Sequence, residues 1–366
     1  MKFTKLILSL FAGALFFVSC SDDDAADAKR IPLGGYDLGI LVLNEGNFND
    51  GNASVSYLSE DFSTVQNDIF SIVNNNASLG DVAQSIGFYN DLAYIVVNNS
   101  NKIEVVNRYT FKKIQTITTQ IRNPRYIAFA NGKGYATNWG DAGNPNDDYV
   151  AVIDLATNTV NNTIPVAEGP EQIVENNGKL YVSHAGGYNY GNTVSVIAND
   201  AFLTAVAVGD VPRELQIVDG NLWVSCKGLP SYAADGPTSG KFVKIDLATN
   251  SVSGQLQFPT GTATTNLGNS AISGSNVFYT IGTSIYKSAL NAASLPQTPL
   301  FGVTNDNIAS IYGFAVNNGR IYVSNVFGFD VSGKIYVFDS GENGTAGTLL
   351  HSQTVGVGPS AFYFNL

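Results

Sequence analysis

The sequence predicts an all-β fold, and three observations support this class. Strand-like segments such as "KLYVSH" and "RIYVSN", rich in β-branched and aromatic residues, recur from Gly39 to the end of the chain. Turn sequences such as "NGK", "DGN" and "NNGR" supply the Asn, Asp and Gly that tight hairpins need for positive φ. No long helical pattern competes with these segments.

One repeat unit recurs along the chain. It consists of a strand, a turn, a second strand, a loop, and a third and a fourth strand. Its leading prolines, Pro124, Pro170 and Pro212, are 46 and 42 residues apart, close to the period of about 40–45 residues in four-stranded propeller repeats. One copy is split between "GILVLN" near the start and "PSAFYF" at the end. The other copies begin at Val82, Pro124, Pro170, Pro212, Asn269 and Ile311.

These repeats predict a seven-bladed β-propeller of four-stranded antiparallel blades over residues 39–366. The split copy predicts that the C-terminal strand completes the N-terminal blade and so closes the ring. Leu180 and Val182 alternate with Tyr181 and Ser183, which indicates strands with both faces packed against neighbouring blades. The alternative, in which the last strand is only a tail, would leave an apolar strand with an exposed edge.

Residues 1–19 are predicted to be a lipoprotein signal peptide. Lys2 and Lys5 precede the apolar run Leu6–Val18, whose helix of about 20 Å is too short for a hydrocarbon core of roughly 30 Å. The segment "FVSC" at 17–20, which contains the end of this run, resembles a bacterial lipobox, in which Cys20 becomes the lipidated first residue of the mature chain. The alternative is an ordinary secretory peptide in which Cys20 has no role.

Residues 20–38 are predicted to be a lipidated cysteine followed by a flexible acidic tether. The stretch "SDDD" at 21–24 resembles the signal that sends some Gram-negative lipoproteins to the outer face of the outer membrane. We therefore expect an outer-membrane protein that faces the cell exterior and touches the membrane only through its lipid. A solvated tether on a periplasmic protein is the alternative.

Charge and cysteine content limit the partners and the covalent chemistry. The chain has 30 acidic and 19 basic residues and a net charge of −11, which disfavours nucleic acid as a partner. With Cys20 lipidated, Cys226 is the only other cysteine, so no intramolecular disulfide is expected.

The loops between the second and third strands predict a ligand-binding face. Five of these loops are long, and stability alone would favour short turns. They present aromatic residues among Asn, Gly, Ser and Asp, which suits a flat organic ligand. The alternative is that the aromatics fold inward and brace their own loops. The candidate ligand-binding residues are Phe48, Trp139, His184, Tyr188, Tyr190, Tyr232, Phe327 and Phe329.

We predict no catalytic residues, and therefore no enzyme. His184 has no second histidine placed to assist it, and neither a Gly-x-Ser-x-Gly elbow nor a His-Glu-x-x-His zinc site occurs. Arg125 and Arg213 follow the leading prolines and are expected to face the ligand or to pair with an acid of a neighbouring blade. No metal site is predicted: the loop "DAGNPNDD" is interpreted as a solvated turn, and Asp141, Asn144, Asn146 and Asp148 are only weak calcium candidates.

The phrases "LYVSH", "IYVSN" and "VAVIDLATNTV" resemble the YVTN family of β-propeller repeats. Together with "LVLNEGNF", the lipobox and the acidic tether, they resemble surface lipoproteins that sit beside TonB-dependent transporters, including cobalamin-binding propellers. This resemblance implies capture of cobalamin or a related corrinoid on the loop face and transfer to an outer-membrane transporter. The alternatives are a protein-interaction or adhesion propeller and, ranked last, a lactonase or lyase.

Overall fold

Seven four-stranded antiparallel sheets form the part of the chain that the computed structural model describes, residues 31–366. The sheets are the blades of a seven-bladed β-propeller, which confirms the predicted fold. The predicted signal peptide, Cys20 and the acidic stretch at 21–24 lie outside the described residues. Within residues 31–366, no helix is long and apolar enough to span a membrane.

The blades are numbered from the N-terminal sheet, and the strands are numbered in chain order. Blade 1 combines β1 Gly39–Asn44, β2 Ser54–Ser59 and β3 Val65–Gln66 with β28 Pro359–Asn365; blade 2 contains β4 Ala83–Tyr89, β5 Leu92–Val97, β6 Lys102–Asn107 and β7 Lys113–Ile117; blade 3 contains β8 Pro124–Ala130, β9 Lys133–Asn138, β10 Tyr149–Asp154 and β11 Thr159–Pro165. Blade 4 contains β12 Pro170–Asn176, β13 Lys179–His184, β14 Thr193–Ala198 and β15 Ala201–Ala207; blade 5 contains β16 Pro212–Val218, β17 Asn221–Cys226, β18 Lys241–Asp246 and β19 Ser251–Gln257. Blade 6 contains β20 Ser270–Ser273, β21 Asn276–Ile281, β22 Ser284–Ala289 and β23 Phe301–Gly302; blade 7 contains β24 Phe314–Asn317, β25 Arg320–Asn325, β26 Ser332–Asp339 and β27 Leu349–Val357.

The turn between the first two strands of a blade has the backbone that its sequence predicts. In blade 3, Asn131 and Gly132 have φ of 51° and 74°, and in blade 4 Asn177 and Gly178 have φ of 50° and 78°. Positive φ at both central residues is the signature of the type I′ hairpin, whose twist matches that of the flanking strands.

Neighbouring blades pack through apolar layers. Alternate residues of β13 enter two different layers, since Leu180 and Val182 pack with blade 3 whereas Tyr181 packs with blade 5. Full burial of one such side chain contributes roughly 1.5–3 kcal/mol. The predicted alternation is therefore confirmed, and both faces of this blade are buried against neighbouring blades.

Buried hydroxyl groups add hydrogen bonds across the blade boundaries. Thr137 Oγ1 donates to the carbonyl of Glu171 over 2.9 Å, and Ser183 Oγ donates to the carbonyl of Arg213 over 2.8 Å. Both residues are fifth in the second strand of their blade. These bonds fix the inner strand of the next blade, which carries side chains toward the centre of the ring.

The C-terminal strand closes the ring as predicted. β28 pairs with β1 from Asn365 opposite Gly39 to Pro359 opposite Asn44. Asn365 Nδ2 also donates to the carbonyls of Tyr36 and Arg108 over 2.6 and 3.0 Å. Both ends of the propeller are therefore held in one sheet.

Two local features differ from the prediction. A five-residue helix, α1 Ile69–Val73, lies between blades 1 and 2, and a 3-10 turn at Thr304–Asp306 precedes blade 7. Ile69 and Phe70 are buried in the apolar layer between blades 1 and 2. A five-residue segment is too short to show a helical period, so tertiary burial decides its conformation.

Candidate functional site

The inner strands of the seven blades surround a cavity of about 790 Å³. Pro124 pairs with Asn138, the residue at which the long loop of blade 3 begins. The beginnings of the inner strands therefore lie on the face of the long loops, and the cavity lies at this face. Its charged lining residues are Glu45, Arg125, Glu171, Arg213, Glu214 and Lys227.

One position of the repeat supplies a ring of side chains around this cavity. In blades 3, 4 and 5 this position is the second residue of the inner strand. It lies two residues before Ile127, Ile173 or Leu215, each of which pairs with the fourth residue of the second strand of its blade. The residues at this position in blades 1–7 are Ser360, Gln84, Arg125, Glu171, Arg213, Gly268 and Tyr312, and all line the cavity.

The Arg125 guanidinium forms a two-point ion pair with the neighbouring blade. Its Nη2 lies 3.1 Å from Glu171 Oε1, and its Nε lies 3.2 Å from Glu171 Oε2. The guanidinium carbon also lies 4.4 Å from the centroid of the Trp139 ring. This part of the wall is a closed ion pair, as expected for an arginine that pairs with an acid of the next blade.

A second polar contact joins blades 7 and 1 across the cavity wall. Tyr312 Oη donates to Glu45 Oε2 over 2.5 Å. Burial raises the pKa of the Glu45 carboxyl above its ordinary value. The ring of Phe329, on the long loop of blade 7, packs edge-on against Tyr312 with the centroids 5.7 Å apart.

The charged residues of blade 5 are less completely paired. Arg213 Nε and Glu214 Oε2 are buried without a hydrogen-bond partner among the described residues. Lys227 Nζ lies 3.8 Å from Glu214 Oε1, which is longer than a hydrogen bond. Burial lowers the pKa of the Lys227 ammonium, although Glu214 acts in the opposite direction. This wall has unused donors and an unused acceptor.

Most of the predicted aromatic residues lie on the rim and not in the cavity. Tyr232 is 83% exposed and Tyr188 is 79% exposed. These exposed aromatic residues form a rim on the long-loop face, and none of their side chains lines the central cavity. The exposed members of the predicted set are Phe48, Tyr188, Tyr190, Tyr232, Phe327 and Phe329.

The other two predicted ligand-binding residues are held by the protein. The Trp139 indole covers Arg125, and its Nε1 donates to the carbonyl of Pro170 over 3.0 Å. His184 is buried, with its Nε2 2.8 Å from Ser195 Oγ. Burial lowers the pKa of His184 to about 4, so its imidazole is neutral at pH 7. Trp139 therefore supports the cavity wall from behind, and His184 is a core residue of blade 4.

The predicted calcium loop uses its oxygens locally. Asp141 pairs with Arg122 over 3.0 Å, and Asn144 Oδ1 accepts from the backbone N–H of Asn146. Asp148 is buried and accepts from the backbone N–H of Gly169 over 3.0 Å. No group of three or more His, Cys, Asp or Glu residues within residues 31–366 is arranged to hold a metal ion. Both interpretations of this loop, the favoured solvated turn and the weak calcium site, stay predictions.

Sequence reasoning missed several residues of the cavity wall. Glu45, Glu171, Glu214, Lys227 and Tyr312 all line the cavity. A signal for some of them is present in "PRY", "PEQ" and "PRE", where charged residues follow the leading proline of strands that are otherwise buried. The same repeat position points inward in every blade, so those charges converge on the centre.

A family model described as a domain of unknown function, DUF5074, matches residues 38–351. Among curated protein sequences, none matches this chain.

Several solved structures share the fold. A putative 6-phosphogluconolactonase from Bacteroides fragilis is 13% identical with a TM-score of 0.61, covering 90% of this chain and 99% of its own. Hydrazine synthase of Kuenenia stuttgartiensis is 16% identical with a TM-score of 0.60, covering 76% and 88%. AztD from Citrobacter koseri is 11% identical with a TM-score of 0.52, covering 88% and 96%. At these identities the likeness concerns the fold alone.

Proposed function

The chain belongs to the DUF5074 family, and we propose that it is a binding protein which captures a small polar organic ligand in the central cavity. The observation that carries this proposal is the cavity itself, about 790 Å³ in volume and lined by residues of all seven blades. Cavities of about 300–1,000 Å³ are typical of sites for small organic ligands.

Binding without chemistry is supported by the residue types that line the cavity. General acid–base catalysis near pH 7 most often uses histidine, and neither a histidine nor a cysteine lines this cavity. Both histidines lie elsewhere, His184 in the core of blade 4 and His351 on an outer strand. Catalysis by the carboxylates of the wall is the competing hypothesis, and conversion of the bound compound by the purified chain would establish it.

A matched pair of substitutions tests the proposal. Ser310 lies exposed at the cavity, and Ser275 lies exposed in a turn of blade 6 at the opposite end of its inner strand. Ser310→Trp is expected to fill the cavity, whereas Ser275→Trp places the same side chain away from it. Small molecules released from the purified proteins by heat would be identified by mass spectrometry. We expect a compound in near-equimolar amount with the wild type and Ser275→Trp, strongly reduced in Ser310→Trp. Equal amounts in all three, or no enriched compound, would contradict the proposal.

A corrinoid held on the rim is a second candidate, favoured by the exposed aromatic rings. The Tyr190 and Tyr232 side chains lie on adjacent blades and are 46% and 83% exposed, so both are accessible to a flat ligand. Calorimetric titration with cyanocobalamin and cobinamide tests this candidate. Replacing both tyrosines by alanine is expected to weaken binding by about 1–3 kcal/mol. Absence of heat with the wild type at micromolar concentrations would exclude the corrinoid and leave the cavity proposal standing.

We propose further that capture takes place at the cell surface and that an outer-membrane TonB-dependent transporter receives the ligand. The support is the resemblance of "FVSC", which ends in Cys20, to a lipobox and that of the acidic residues at 21–24 to a surface-export signal. Cys20→Ser is expected to abolish labelling with a radioactive fatty acid, and externally added protease is expected to digest the wild type on intact cells. Co-purification of a stable membrane partner without any small ligand would instead favour a protein-interaction propeller.

A further inference from the structure

The wall formed by blade 5 contains charged groups whose hydrogen bonding is not completed by the other described residues. The carbonyl of Arg213 is fixed by Ser183 over 2.8 Å, but no side-chain nitrogen of Arg213 makes a hydrogen bond to another residue in the range 31–366, and its Nε is buried. The equivalent arginine of blade 3, Arg125, makes a two-point ion pair with Glu171. Against the effect of burial, Glu171 and Glu214 lie near enough to raise the pKa of the Arg213 guanidinium, but neither accepts a hydrogen bond from it. The two arginines at one repeat position therefore differ in whether the protein itself supplies the hydrogen-bond acceptor.

Two further groups beside Arg213 are similarly incomplete. Glu214 Oε2 is buried without a partner among the described residues, and Lys227 Nζ lies 3.8 Å from Glu214 Oε1. The Lys227 and Glu214 side chains are 22% and 26% exposed and, with Arg213, line the cavity, so a polar group that enters the cavity can complete their hydrogen bonding. Arginine and lysine act only as donors, and an ionised glutamate acts only as an acceptor.

The chemistry of a fitting ligand follows from this donor and acceptor set. The positive charges of Arg213 and Lys227 favour an anionic oxygen group, and the planar guanidinium can form two parallel hydrogen bonds to a carboxylate. The Glu214 carboxylate favours a neighbouring hydroxyl or N–H group on the ligand that donates a hydrogen bond to its Oε2. The rest of the lining is mainly neutral and polar, which suits further hydroxyl groups; among these residues are Gln84, Gln172, Asn269, Thr280, Thr283 and Ser360.

We propose that the ligand is an acidic sugar, whose carboxylate binds Arg213 and Lys227 and whose hydroxyl groups donate to Glu214. This inference rests on the proposed function, since it names the class of the small ligand in the same cavity. A single pyranose fills only part of a cavity of about 790 Å³, so an acidic oligosaccharide fits the same description.

Three forms of one pyranose test the charge preference with the full chain. Glucuronate is anionic, glucose is neutral and glucosamine is cationic, while the ring is nearly the same. Their dissociation constants would be measured by ligand-observed NMR titration at low salt. A charge-assisted hydrogen bond is worth about 1.5–3 kcal/mol, so we expect glucuronate to bind at least about tenfold more tightly than glucose.

Arg213→Met is expected to remove this preference, and Arg213→Lys to retain part of it. The control is Arg122→Met, which removes the same charge from the loop face at the exposed pair with Asp141 and is expected to keep the preference. If Arg213→Met does not fold, Lys227→Met serves instead, because Lys227 Nζ makes no hydrogen bond to another described residue. It is expected to reduce the preference severalfold.

The possible outcomes separate the two proposals. Equal binding of glucuronate and glucose, tighter binding of glucosamine, or an unchanged preference in Arg213→Met would overturn the acidic sugar. Each of these would leave small-ligand capture intact if Ser310→Trp still abolished the binding. Binding of none of the three sugars, together with a cavity compound that has no acidic group, would also overturn it. No sugar binding and no cavity compound would contradict both proposals.

Discussion

Arg125 of blade 3 and Glu171 of blade 4 form a two-point ion pair across the blade boundary, with Nη2 and Oε1 3.1 Å apart and Nε and Oε2 3.2 Å apart. Their side chains are only 13% and 3% exposed. The ring of Trp139, at the start of the long loop of blade 3, covers the Arg125 guanidinium. The pair therefore links two blades at the cavity, where no apolar layer separates them.

Removing one partner of this ion pair is expected to destabilise the propeller. Glu171→Gln leaves the buried guanidinium without its counter-charge, which typically costs about 3–5 kcal/mol. Arg125→Met is expected to cost a similar amount, and the double variant less than the sum of the two. Urea unfolding of the wild type, the two single variants and the double variant gives the coupling energy between Arg125 and Glu171.

The exposed pair Arg122–Asp141 is the control, since Arg122→Met is expected to change stability by less than about 1 kcal/mol. Strict additivity of the two buried substitutions would show that the ion pair does not link the blades.

Two equivalent serines are expected to respond differently to the same substitution. Ser183 and Ser225 are each fifth in the second strand of their blade. Ser183 Oγ donates to the carbonyl of Arg213 over 2.8 Å, whereas Ser225 Oγ is buried without a partner among the described residues. Ser183→Ala should therefore lower the free energy of unfolding by about 1–2 kcal/mol, and Ser225→Ala should leave it unchanged or raise it. Chemical denaturation of both variants checks this contrast, and equal losses would count against it.

The fold could be predicted from the sequence because its signals are local and repeated. Turn residues such as Asn131 and Gly132, and the alternation of Leu180 with Tyr181, are short-range patterns that seven copies reinforce. The helix at Ile69–Val73 escaped prediction because its five residues fold by burying Ile69 and Phe70, not by a visible period.

The cavity was harder to predict because its contacts join residues that are far apart in the chain. Arg125 and Glu171 are 46 positions apart, and Glu45 and Tyr312 are 267 positions apart. Aromatic residues in long loops are conspicuous in a sequence, whereas an inward-facing glutamate looks like any surface acid. Only the closed ring shows that the position held by Arg125, Glu171 and Arg213 faces one centre.

Closure of the ring is expected to depend on Asn365. Its Nδ2 donates to the carbonyls of Tyr36 and Arg108, and its Oδ1 accepts from Arg108 Nε over 2.5 Å. Asn365→Ala leaves these partly buried groups unpaired and should lower the free energy of unfolding by about 2–3 kcal/mol. Deletion of residues 360–366 removes β28 and exposes the edge of β1, so we expect loss of cooperative unfolding or of solubility. Thermal unfolding followed by circular dichroism tests both changes. A deletion variant that melts like the intact chain would refute the role of β28 in closure.

Asp148 is expected to make stability fall as pH rises. Burial, with a smaller contribution from Asp147 and Glu168, raises the pKa of the Asp148 carboxyl to about 7 in the folded chain, whereas an unfolded aspartate titrates near about 4. Between these two values the folded state binds the proton that the unfolded state has lost, so each increase in pH favours unfolding. Above about pH 7 both states are ionised and this dependence ends.

Asp148→Asn can still accept the hydrogen bond from the Gly169 N–H but does not titrate. The stability of Asp148→Asn relative to the wild type should therefore increase from about pH 4 to about pH 7 and then remain constant. Urea unfolding of both proteins at several pH values across this window measures the difference, and a difference independent of pH would show that folding does not raise the pKa of Asp148.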